Sequence, residues 1–131
     1  MTKTPRIGYR ALSGIDTENI GEGLAKGTVK VTEDHMNRGG IMHGGAIATI
    51  CDSTMGRAVG TTLEPGQSTA TASMTMTYLA SAKPGDELTA TATVRKRSRQ
   101  TVVVEAEVVR DGDQRPIAHS IATFIILARR D

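Results

Sequence analysis

Leu88, Ala90, Ala92 and Val94 alternate with Thr89, Thr91, Thr93 and Arg95. A two-residue period of this kind is a strand with one face toward a core and the other toward water. Residues 88–96 are therefore read as a strand, and similar patterns recur. Residues 68–79 are rich in Thr, Ala and Met with alternating character, residues 101–110 are Val-rich, and residues 117–127 form a last apolar strand. Turn chemistry separates them. Lys83-Pro84-Gly85-Asp86 has Pro and Gly where a type II turn wants them, and Asp111-Gly112 marks another reversal. Nearer the N-terminus, residues 14–20 and 24–32 read as a hairpin about Gly21-Glu22-Gly23, the first ordered piece of the chain. A polar, Gly-containing loop, residues 33–42, follows it.

At residue 44 the period changes. Ile47, Ile50, Cys51, Thr54, Met55 and Ala58 recur at helical spacing, predicting one helix over 44–59. Ala46, Ala48, Ser53 and Gly56 keep it slim, as suits a helix packed on several sides. One mostly buried helix within a run of antiparallel strands is an α+β layout, and the sheet must curl around that helix. Exposed edges of such a sheet invite pairing between chains, so a dimer is expected.

Length and composition narrow the picture. The 131 residues suit a single domain, with a core over about 14–127. Sixteen basic and fourteen acidic residues are mixed along the chain, and the aromatics are only Phe124, Tyr9 and Tyr78. Neither the charge nor the stacking surface for nucleic acid is present. Cys51 stands alone, so no internal disulfide forms, which agrees with a reducing compartment. Residues 1–9 lack the apolar stretch of a signal peptide, and no run is long enough to span a bilayer. A cytoplasmic protein that does not enter membranes is expected. His35, His43 and His119 have no metal-ligand spacing, so no metal is implied.

The chemistry concentrates between Asn37 and Asp52. Gly44 and Gly45 stand where the helix begins. The first N–H groups of a helix have no partner inside it, and the dipole there is positive. Without side chains, a substrate oxygen can reach those N–H groups, which is an oxyanion hole built from backbone. Asp52 lies two turns further on. Its helical neighbours Ala48, Thr49, Met55 and Gly56 include no basic partner, so a buried carboxylate there is suited to act as base or nucleophile. The Asn37 amide can hold a water or a carbonyl. Cys51 has no basic neighbour and belongs to the apolar stripe, so it is read as packing.

Asn37, His43-Gly44-Gly45 and Asp52, at these spacings, resemble the signature of hotdog-fold acyl-CoA thioesterases of the phenylacetate-pathway (PaaI-like) and four-hydroxybenzoyl-CoA type. Met76-Thr77-Tyr78-Leu79 and the turn at 83–86 are similar to that family's third strand and its turn. The resemblance implies a curved antiparallel sheet wrapped around one long helix, in homodimers or homotetramers with active sites at the dimer interface. It implies an acyl-CoA substrate and no separate cofactor, coenzyme A being part of the substrate. The Gly44 N–H would polarise the thioester carbonyl. Asn37 and His43 would orient substrate or water. Asp52 would be base or nucleophile, reaching in from the partner, with a strand hydroxyl assisting. Thr71 is the candidate for that hydroxyl and Ser73 competes with it. Substrate contacts are expected at Gly45, Ser73 and the basic cluster Arg95, Lys96, Arg97 and Arg99, whose charge suits the phosphates of coenzyme A. Met36, Met42, Met55, Met74 and Met76 divide between core and an adaptable acyl pocket.

Two other readings stay open on sequence. A hotdog module that binds acyl-CoA without cleaving it would not require Asp52. A hydratase on the same fold would want Asp and His spaced within one loop, and the adjacent Asp34-His35 lacks that spacing.

Overall fold

The computed structural model describes residues 7–128. Most of the 1–9 segment, read above for a signal peptide, lies outside them. The elements are α1 (Gly8–Ser13), β1 (Asp16–Gly21), β2 (Leu24–Lys30), α2 (Gly44–Gly60), β3 (Ser68–Tyr78), β4 (Glu87–Arg97), β5 (Thr101–Arg110) and β6 (Arg115–Leu127). All six strands join one antiparallel sheet in the order β1-β2-β4-β5-β6-β3. The sheet wraps α2, which touches every strand.

The alternation in β4 is kept: Leu88, Ala90 and Ala92 are buried and face the helix. Val102, Val104, Ala106 and Val108 of β5 and Ala118, Ala122 and Phe124 of β6 complete the inner face. Ile47, Ile50, Cys51, Met55 and Ala58 of α2 meet them. Small residues set the spacing of the two layers. A Cβ added to Gly27 on β2 would lie 2.0 Å from Thr54 Oγ1, so only glycine admits the helix this closely. The type II turn forms as expected, with Gly85 at φ 95° and Asp86 N–H donating to the Lys83 carbonyl.

The hairpin is not the first ordered piece. α1 precedes it and ends at Gly14, whose φ of 72° and N–H to the Arg10 carbonyl close the last turn. Six residues burying no side chain leave no periodicity to read. A 3-10 turn, Glu33–His35, stands in the expected loop. His35 Nδ1 accepts the Thr32 N–H at 2.9 Å, so its Nε2 carries the proton and donates to the Ser13 carbonyl at 2.7 Å. That pair ties α1 to the loop leading into α2.

β1 and β3 are the edges of the sheet. β3 is eleven residues long, and its register against β6 shifts between Thr71 and Ser73. The bulge changes which face follows. Thr71 pairs with the buried Phe124, whereas Ser73 pairs with Thr123 on the outer face. Met74, Met76 and Tyr78 then return to the inner face, opposite Ala122, Ser120 and Ala118.

Candidate active site

His43 caps α2. Its backbone is extended, with φ −61° and ψ 135°, and its Nδ1 accepts the Gly45 N–H at 2.8 Å. The ring is therefore a neutral imidazole with its proton on Nε2. The His43 N–H donates to the His35 carbonyl, and the His43 carbonyl accepts from Ala46 N–H and Ile47 N–H. Every N–H from 43 to 47 is thus engaged except that of Gly44, which finds no partner among the described residues. Its peptide is further polarised, because the carbonyl of that same peptide, His43 O, accepts two hydrogen bonds. Gly45 departs from expectation: its N–H is held by His43, so it has no donor to offer a substrate.

Asn37 performs a turn role with half of its side chain. Its Oδ1 accepts from Gly39 N–H at 2.8 Å and Ile41 N–H at 3.3 Å, in the manner of an Asx turn. The amide nitrogen is not used in that turn. The loop is closed by the Met36–Met42 bridge and by Met42 N–H donating to the Ala82 carbonyl. Asn37 and Gly44 then line one cavity of about 370 Å³, walled by Ile41, Ile47, Tyr78 and Leu79. A second cavity of about 360 Å³ lies across the start of α2, between His43, Met36, Tyr9 and Leu12.

Asp52 is half-buried rather than dry, and Thr71 Oγ1 donates to its Oδ1 at 2.6 Å. The strand hydroxyl beside the carboxylate is thus Thr71. Ser73 faces the other side of the sheet, turned there by the bulge, which corrects its place as a competitor. Asp52 and Gly44 are eight residues apart on one helix, about 12 Å along its axis. A carbonyl carbon lies little more than a bond length from its oxygen, so one thioester cannot touch both groups of the same chain. Cys51 is buried, and burial, then the Asp52 charge beside it, pushes its thiol up to about 12. It packs, as expected.

The basic cluster sits at the β4–β5 turn, at the end of the molecule where α2 finishes. Arg95 is paired with Glu105, and Arg97 donates to the Ser98 carbonyl and to Gln67 Oε1. Lys96 and Arg99 project into solvent. Of the methionines, Met42 and Met55 are core, while Met36, Met74 and Met76 are partly buried against it.

Tyr78 was not singled out for the site. It is exposed, yet its hydroxyl donates to the Gly44 carbonyl at 2.9 Å, and its ring would lie 3.2–3.4 Å from a Cβ at Gly44. The available signal was a polar-tipped aromatic closing an inner-face strand in a chain with almost no aromatics.

Against known proteins, residues 39–117 match the model of the Thioesterase superfamily. The acyl-coenzyme A thioesterase PaaI of Escherichia coli K12 is 33% identical over 96 residues, 73% of this chain and 66% of that protein. The chain spans 50–66% of the length of the first three curated relatives it matches. The solved E. coli PaaI structure superposes with a TM-score of 0.83 at 28% identity, covering 91% of this chain and 83% of that one. The Streptococcus mutans UA159 protein smu.793, solved with acetyl-CoA bound, gives 0.80 at 27% identity, covering 89% and 91%. More than half of the chain matches the family model, and the curved six-stranded sheet around α2 matches PaaI: this chain belongs to the Thioesterase superfamily and has its hotdog fold.

Proposed function

We propose that this protein hydrolyses an acyl-CoA thioester to the free acid and coenzyme A. The observation that carries the reading is the split arrangement on α2. Gly44, whose N–H has no partner among the described residues, lines a cavity, and a Thr71-bound carboxylate stands about 12 Å along the same helix. Each is half of an acyl-transfer site, and a second copy supplies the other half. The free edge of β3 runs beside both halves, so pairing of two β3 edges is the proposed dimer contact, with further association to a tetramer.

In the proposed reaction the thioester oxygen accepts from Gly44 N–H, with the Asn37 amide nitrogen alongside. Asp52 of the partner copy takes a proton from water as the water oxygen bonds to the carbonyl carbon. Negative charge gathers on the oxygen facing Gly44, where the donor and the helix dipole already point. Collapse breaks the C–S bond, and the departing sulfur takes the proton back from Asp52. Thr71 holds one carboxylate oxygen and leaves the other for water. Direct attack by Asp52, through a mixed anhydride, uses the same geometry. His43 serves as the cap that sets Gly44. Lys96 and Arg99, with Arg95 and Arg97 behind them, form the proposed phosphate contacts. The names of PaaI and of the acetyl-CoA-bound relative support the substrate class. A lone buried thiol agrees with a cytoplasmic setting.

Thiol release from short, medium, long-chain and aryl-CoA thioesters, by the wild type beside Asp52→Asn, tests the reading. Turnover that vanishes in the variant is expected. Binding of an acyl-CoA with no release by the wild type would put the non-catalytic module in its place.

A further inference from the structure

The two glycines that open the helix end to substrate also deprive it of side-chain restraint, and a helix that begins Gly-Gly is prone to fray. The peptide between them is nevertheless held on both sides. Tyr78 Oη donates to its carbonyl, Gly44 O, at 2.9 Å. Its N–H, that of Gly45, donates to His43 Nδ1 at 2.8 Å. Hydroxyl, amide and imidazole form one chain of aligned hydrogen bonds, each strengthening the next. The Tyr78 ring lies flush against Gly44, close enough to meet an added Cβ.

We infer that Tyr78 is a positioning residue, which together with His43 clamps the Gly44–Gly45 peptide and so aims the unpaired Gly44 N–H into the Asn37 cavity. The inference rests on the thioesterase reading for its consequence in rate, but the clamp itself does not. Tyr78 is anchored independently of α2: it is paired with Ala118 in the sheet, and the Leu79 N–H that follows it donates to the Ile117 carbonyl. The sheet thus fixes the tyrosine, and the tyrosine fixes the helix end. A donor aimed in advance stabilises the charge that develops in the transition state more than it stabilises bound substrate. Losing the clamp therefore lowers kcat rather than raising KM.

Tyr78→Phe in the full chain removes the hydroxyl and keeps the ring. Expected are a kcat roughly tenfold lower, short of the loss from deleting an oxyanion donor outright, with KM within about twofold. Amide hydrogen exchange at Gly45, read by NMR, becomes faster in the variant. An unchanged kcat, or a lowered kcat with Gly45 exchange as in the wild type, would overturn the inference. In the second case the hydroxyl would be acting on substrate directly. If the wild type cleaves no acyl-CoA, the thioesterase reading fails separately, and Gly45 exchange alone decides the clamp.

Discussion

Thr71 and Tyr78 face the same helix although they stand seven positions apart on one strand. An odd spacing in a regular strand puts two side chains on opposite faces. The bulge between Thr71 and Ser73 removes one step from the count, so both hydroxyls reach α2, Thr71 at Asp52 and Tyr78 at the Gly44 carbonyl. A single edge strand thereby touches both halves of the proposed site.

Thr71→Val keeps the shape and β-propensity of the side chain but leaves Asp52 Oδ1 without its donor. The expected result is a fall in kcat of about ten- to a hundredfold, the scale at which positioned proton-transfer groups operate. Ser73→Ala, on the outer face, leaves kcat as it was. Steady-state thiol release on the two variants reads this, and equal losses would reject the assignment of Thr71.

Gly44→Pro deletes the unpaired N–H at a position that favours proline, the first residue of a helix. His43, with φ −61° and ψ 135°, already has the conformation required before proline. Activity should fall about a hundredfold or more. The proline Cβ would also press on the Tyr78 ring at 3.2–3.4 Å, so a modest drop in melting temperature is expected with it. The same variant tests the two-copy site. Gly44→Pro and Asp52→Asn are each inactive alone, but a mixed dimer contains one site with neither change. Random reassembly of equal amounts should restore about a quarter of the wild-type sites. No recovery, with mixed dimers shown to form, would place both halves in one chain.

Gly27→Ala should destabilise the fold by about 1–3 kcal/mol, because the methyl group would enter the space of Thr54 Oγ1. Thr54→Ala in the same chain removes the obstructing atom, so the double variant should lose less than the sum of the two singles. Urea midpoints of the three variants against wild type measure it.

Cys51 should resist alkylation in the native protein at pH 8. With its thiol pushed up to about 12, only about one molecule in ten thousand carries the thiolate there. The sign for stability follows from the same shift. The unfolded thiol ionises near 9.0 while the folded one holds its proton. The contribution is therefore complete below pH 9 and is lost progressively as pH rises toward about 12. Labelling that needs denaturant, and a urea midpoint that falls across that window in wild type but less steeply in Cys51→Ala, are the expected readings.

Local pattern alone identified most of the elements and singled out Asn37, Gly44, Gly45 and Asp52 as candidates for the proposed site. Alternation in β4, the helical stripe from Ile47 to Ala58 and the turn at Gly85 are short-range signals, each written within a dozen residues. The helix start at Gly44 was equally local, since capping and glycine spacing act over one turn. α1 was missed because it buries nothing, and Tyr78 because its partner lies 34 residues away. Which strand hydroxyl meets Asp52 depends on a bulge, and a bulge depends on how β3 and β6 fit together. Gly45 was expected to offer its N–H, but a cap from His43 claims it first. Hydrophobic period and turn chemistry are properties of neighbouring residues, and the sequence by itself determined them. Faces after a bulge, a Gly44 N–H without a partner among the described residues and the clamp on the peptide that follows it are properties of packed surfaces, and only the tertiary structure decided those.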